Sequence, residues 1–177
     1  MVTSLRLGLL PVVLFAFAAC SAAKDPKIPG DELGTYHVVA TLSASTCGPG
    51  ALGAKDLWEF DVKLSQDGDD LYWLNGAEAI PGNVASDGVS FGFDSHVVVN
   101  AIEPGKGQAG CSIARTDSGT GTLTSKEPPV SGFSGSLRYG FQPLKGSDCE
   151  ALMAVEGGFH ALPCEMTYAM SASRKPD

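Results

Sequence analysis

The chain has 177 residues, with 12 Lys and Arg against 20 Asp and Glu, and a formal net charge of −8 at pH 7. An acidic surface without a basic cluster repels phosphate backbones, which argues against nucleic acid as a partner and against adsorption to anionic headgroups. Glycine, at 22 residues, points to many turns and short strands rather than to long helices.

The first feature along the chain is an apolar run. Arg6 is followed by 13 uncharged residues, Leu7 to Ala19, broken only by Gly8 and Pro11. This is the length of a signal-peptide core and short of the roughly 20 residues a spanning helix needs. The four residues Phe17-Ala18-Ala19-Cys20 that end it resemble the lipobox of bacterial lipoproteins. That resemblance implies cleavage before Cys20, a diacylglycerol on its sulfur and an acylated new amine. It also implies a place in the cell envelope, and Ser21 after the Cys favours the outer membrane. Two or more acyl chains make a stable anchor where one does not, so the lipid would supply the membrane contact.

The alternative is an ordinary secretory signal. Ala16-Phe17-Ala18 fits an A-x-A cleavage site and would release a soluble protein beginning at Ala19. Cysteine parity favours the lipoprotein. Of five cysteines, lipidation of Cys20 leaves Cys47, Cys111, Cys149 and Cys164, an even set for two disulfides in an oxidising compartment. Residues 1–19 are thus expected to be a signal peptide, 20–33 a lipidated N-terminus and Pro/Gly-containing tether, and 34–177 a single β domain. The cleaved chain would keep 158 of the 177 residues, enough for one core. Its 11 remaining basic residues against 20 acidic ones would sum to −9.

Alternation with a period of two then recurs. Tyr36, Val38, Ala40, Leu42 and Ala44 share one face of a first strand. Trp58, Phe60, Val62 and Leu64 alternate with Glu59, Asp61 and Lys63. Asp67-Gly68-Asp69-Asp70 reads as the turn of a hairpin into Leu71-Tyr72-Trp73-Leu74. Val89, Phe91 and Phe93 follow the turn pair Asp87-Gly88, and His96 to Ile102 is a β-branched run. Cys111 and Ile113 begin another strand, which Ser118-Gly119 is expected to turn toward Thr120 to Thr124. Phe133, Leu137, Tyr139 and Phe141 share a face, as do Cys164, Met166, Tyr168, Met170 and Ala172. Only Ser147 to His160 has room for a helical turn.

These elements predict an all-β fold, an antiparallel meander of eight to ten strands closed as a barrel, with a sandwich as the alternative. Gly34-Thr35-Tyr36 at the head of the first strand is similar to the Gly-x-Trp of lipocalin-like barrels, which tilts the choice toward a barrel. Two disulfides are expected to staple it. Cys149 and Cys164 flank the longest loop, which favours Cys149–Cys164 with Cys47–Cys111.

Few residues carry a chemical signature. Gly88-Val89-Ser90-Phe91-Gly92 matches the G-x-S-x-G of hydrolase nucleophile elbows, but that elbow needs a helix after the Ser, and here a strand follows. Asp94-Ser95-His96 gathers three triad residue types, yet neighbours on a strand point to opposite faces. The histidines His37, His96 and His160 are scattered, and no C-x2-C pair suits zinc. The carboxylates around Gly68 lack the spacing of a calcium loop and fit a solvated turn. Glu59 and Asp61 share a face with Lys63, which reads as a charged outer sheet. No catalytic residue, metal site or cofactor is expected.

If the strands close a barrel, Tyr36, Trp58, Tyr72, Trp73 and Phe93 could line a ligand cavity, with ordinary core as the competing reading. The expected function is therefore non-enzymatic: a lipid-anchored envelope protein that binds a small apolar ligand, a glycan or another envelope protein. A structural or assembly component of the envelope is the alternative, and a hydrolase a distant third.

Overall fold

A computed structural model describes residues 29–176 apart from residues 75, 77 and 106–108. The expected signal peptide and the lipidation site Cys20 lie outside the described residues. Eight strands close into one antiparallel barrel in sequence order. They are β1 (Asp31–Ser45), β2 (Leu57–Asp67), β3 (Asp70–Leu74), β4 (Ile80–Val84), β5 (Ser90–Ile102), β6 (Cys111–Leu123), β7 (Gly132–Pro143) and β8 (Cys164–Arg174). A short helix, α1 (Glu150–Met153), interrupts the loop before β8. The expected barrel, not the alternative sandwich, is thus realised, and β8 returns to pair with β1 from Tyr36↔Arg174 to Ser45↔Met166.

Three boundaries differ from the sequence reading. β1 begins at Asp31, so residues 31–33 of the expected tether belong to the sheet. Ser118-Gly119 does not turn the chain: both residues pair across β5 and β7, so β6 runs unbroken. Ile80–Val84, with Pro81 and Gly82, forms β4 although its sequence carries weak strand character. It holds because Val84 closes on Asp69 and Phe91 on either side.

The barrel has two unlike ends. At one end, the turns β2–β3, β4–β5 and β6–β7 surround a packed aromatic core. Phe91, Phe93, Trp73, Tyr36 and Phe133 touch ring to ring, with centroids 4.7–6.0 Å apart. Gly119 and Gly121 on β6 make this packing fit. A Cβ at Gly119 would stand 2.2 Å from the Phe93 ring, and one at Gly121 would stand 2.5 Å from that of Phe91. Tyr36 is fully buried, and its hydroxyl donates toward the carbonyls of Leu33 and Val130 at 3.2 and 3.1 Å. Burial pushes its pKa up, with Arg174 nearby pulling the other way. The chain enters at this end, where the buried Ser65 hydroxyl donates to the carbonyl of Pro29 at 2.6 Å.

The other end is ringed by longer connections and by both disulfides, Cys47–Cys164 and Cys111–Cys149. This pairing corrects the expected Cys149–Cys164 and Cys47–Cys111. Barrel closure decides it. β1 lies beside β8, which brings Cys47 to Cys164, and β6 lies beside β7, which brings Cys111 to the loop that follows β7. Loop flanking in sequence carried no information about either neighbour. The rim is further tied by Leu52 N–H to Gly157 O at 2.9 Å and His160 N–H to Cys47 O at 2.8 Å.

At this end β3 and β4 stop short. β3 pairs with β2 only over Lys63–Asp67, and β4 pairs with β5 only as far as Phe93. Leu57–Val62 of β2 and Asp94–Ile102 of β5 therefore flank a stretch of wall in which no strand lies between them among the described residues. Val97, Val98 and Val99 are exposed on that free margin.

Candidate functional site

The inward positions of the open half form a layer of a different character from the core below. On β6, Cys111, Ile113, Arg115 and Asp117 point inward in alternation, so two charged side chains face the lumen. Arg115 Nε and Nη2 each donate to one carboxylate oxygen of Asp117 at 2.7 Å. This fork-to-fork geometry is the strong form of the pair. Asp117 bonds hold the Arg115 proton more firmly than usual, and burial opposes them. The guanidinium also sits 5.4 Å from the centre of the Tyr139 ring, within cation–π range.

Aromatic rings close around the pair. Trp58 stands between Phe60, at a 4.7 Å centroid distance, and both Tyr139 and Tyr168, at 6.3 Å. Tyr139 and Tyr168 meet edge to face at 6.1 Å. Burial pushes the Tyr139 hydroxyl up to about 12, and Asp117 adds to the rise. The Tyr168 pKa is raised by burial and then by Asp56. Both phenols remain neutral donors at any physiological pH.

Two cavities share Trp58, Arg115 and Tyr139. The first, of about 260 Å³, reaches the rim at Leu52 and Lys55 and is backed by Phe141 and Tyr168. The second, of about 160 Å³, descends past Phe60 and Ser95 to a floor of Trp73 and Phe93. An eight-stranded barrel encloses an interior just wide enough for side chains or one small ligand, and here the closed half takes the former course and the open half leaves room for the latter.

The five expected cavity residues separate accordingly. Trp58, 37 % exposed, is a wall of both cavities, and Trp73 and Phe93 are the floor of the second. Tyr36 is core at the opposite end, with its ring on Phe133. Tyr72 is a correction: it alternates with the buried Leu71 and Trp73, so it lies on the outer face and lines neither cavity. Arg115, Asp117, Tyr139 and Tyr168 were not anticipated as site residues. Tyr139 and Tyr168 sat in correctly assigned inward rows. Arg115 and Asp117 share the parity of Cys111 and Ile113, but charged side chains ordinarily mark an outer face, so nothing in the pattern singled them out.

The remaining motifs fall elsewhere. Ser90 closes the β4–β5 turn, its hydroxyl donating to Asp87 Oδ2 at 2.6 Å while Asp87 Oδ1 accepts from the N–H groups of Val89 and Ser90. Those bonds also hold the Asp87 pKa below the usual carboxylate range. Asp94 and His96 face outward and Ser95 inward, so no triad assembles there. His37 bonds Asp61 at 3.0 Å on the outer sheet, and His96 bonds Thr116 at 3.1 Å. Among the described residues no cluster of three or more His, Cys, Asp or Glu is placed to hold a metal ion.

No family model matches the chain, and neither the curated proteins nor the solved structures compared with it give a match.

Proposed function

We propose that the barrel binds a small ligand in its open half, as a lipid-anchored protein of the bacterial envelope. The observation that carries the reading is the contrast within one lumen: cavities walled by Trp58, Tyr139 and Tyr168 around an inward Arg115–Asp117 pair, above a solid core. An apolar concavity with a few convergent polar groups is the usual form of a small-molecule site. The disulfides suit an oxidising compartment. The chain enters the sheet at the closed end, next to Gln66 and Asp67. A lipid on Cys20, only nine residues before Pro29, would therefore turn the closed end toward the membrane and the open mouth away from it.

The test is titration of the mature protein with an uncharged solvatochromic dye such as Nile red, alongside Trp58→Glu. Saturable binding by the wild type, lost in the variant, is expected. Absence of saturable binding, or equal binding by both, would overturn the reading. The assembly role keeps one specific support: the free β5 margin with Val98 58 % exposed, an edge that another strand could extend.

A further inference from the structure

The charge balance of the cavity selects among ligands, and this step rests on the binding role proposed above. Arg115 spends Nε and Nη2 on Asp117. Its Nη1 has no hydrogen-bond partner among the described residues, and neither has the hydroxyl of Tyr139 or Tyr168. No buried side-chain polar atom among the described residues is left unbonded. The two hydroxyls therefore open to cavity space rather than being sealed in the wall. Every unspent group at this level can thus donate: a guanidinium edge, which only donates, and two neutral phenols, which can also accept.

Donors alone would suit an anion, but the local field does not. Arg115 is already neutralised at 2.7 Å by Asp117, and the other cation of the lining, Lys55, is exposed at the rim. A ligand carboxylate would enter beside the Asp117 carboxylate, and a ligand ammonium beside the guanidinium. At the level of Arg115 either ion would lose its hydration among aromatic rings without a free counter-charge beside it, which costs more than hydrogen bonds to neutral phenols return. The wall fits an apolar body, and the donors fit a carbonyl-type oxygen.

We infer that the site takes an uncharged amphiphile with an acceptor head, of the amide, ester or lactone class, whose carbonyl oxygen meets Arg115 Nη1 and the Tyr139 and Tyr168 hydroxyls while its apolar body lies against Trp58. The experiment compares decanamide, decanoate and decylammonium by calorimetry and tryptophan fluorescence on the mature protein. The amide is expected to bind at least about tenfold more tightly than either ion, roughly the 1.4 kcal/mol step of affinity arithmetic. Asp117→Asn frees the guanidinium, and decanoate should then overtake decanamide. Equal or tighter binding of decanoate by the wild type overturns the inference and leaves the binding role standing. So does an unchanged ranking in a folded Asp117→Asn protein. Binding of none of the three to folded wild type removes the inference and the binding role together. If Asp117→Asn does not fold, the wild-type ranking alone decides.

Discussion

The two halves of this barrel are built from the same strands and stabilised by different means. In the closed half the inward rows carry Tyr36, Phe91, Phe93 and Phe133, and glycines on β6 give way to the rings. Packing fills the lumen there, so the tight turns need no covalent help. In the open half the same β6 row carries Arg115 and Asp117, β3 and β4 end early, and the cavities share the lumen with buried Ile113, Phe141 and Met166. Both disulfides lie at that end. The difference teaches that the cross-links sit at the end where longer connections form the rim and the side chains leave part of the lumen open.

That contrast is broken most severely by emptying the closed half. Phe133→Ala removes a ring in contact with Tyr36, Trp73 and Phe91 and is expected to cost about 3–5 kcal/mol in denaturant unfolding. Dye binding should survive wherever the protein is folded. Loss of binding with stability intact would show that the halves are not separable.

The rim provides the converse. Replacing Cys47 and Cys164 together by Ala opens a link between positions 117 residues apart. The chain-entropy account puts an upper value of about 5 kcal/mol on such a link, and about 4 on the 38-residue separation of Cys111 and Cys149. Unfolding curves should rank the two deletions in that order. Binding should weaken in both variants, since the loops they release line or border the mouth. Gly119→Ala has a smaller expected effect, about 1–3 kcal/mol, because its Cβ must push the Phe93 ring. It should also lower the affinity for the dye, as Phe93 is part of the cavity floor.

The open half should show its character in titration. The Tyr139 pKa, raised to about 12, lies above its unfolded value near 10. Its contribution to stability is therefore complete below pH 10 and lost as pH rises toward 12, because the unfolded chain gives up the proton first. Ultraviolet titration should find Tyr36, Tyr139 and Tyr168 ionising late, and Tyr139→Phe should remove the step near pH 12. On the outer sheet the smallest effect is expected. Hydrogen bonds from Lys175 and then His37 lower the Asp61 pKa, so their support exists above the unfolded carboxylate value and fades as pH falls through the folded one. Asp61→Asn should leave the unfolding midpoint at neutral pH close to that of the wild type, and a clear loss would mean that the exposed network matters more than the contrast allows.

Much of this fold was legible because alternation reports a half-buried strand directly. The rows at Trp58, Phe133 and Cys164 placed three strands and their inward faces correctly. What failed had one physical source: a turn signal is local, and sheet pairing overrides it. Ser118-Gly119 has turn chemistry, but a glycine facing Phe93 serves packing instead, and Arg115 and Asp117 continue the row of Cys111 and Ile113 with side chains that ordinarily face solvent. β4 was missed for the opposite reason, since Pro81 and Gly82 hide a strand that its neighbours impose. The disulfide pairing followed from which strands become neighbours on closure, a long-range fact that spacing between cysteines does not contain. Tyr72 and its neighbour Trp73 cannot both face the lumen of a barrel, and the burial of Leu71 and Trp73 puts Tyr72 outside.

The central claim is that the open half binds and the closed half does not. The most direct measurement is a nuclear magnetic resonance titration of the isotope-labelled mature protein with decanamide, following backbone and tryptophan indole signals. The account predicts saturable shifts at Trp58, Arg115, Tyr139 and Tyr168, with Phe91, Leu71 and Val130 unmoved. Shifts confined to the outer face of β5, or spread through the closed core, would contradict it.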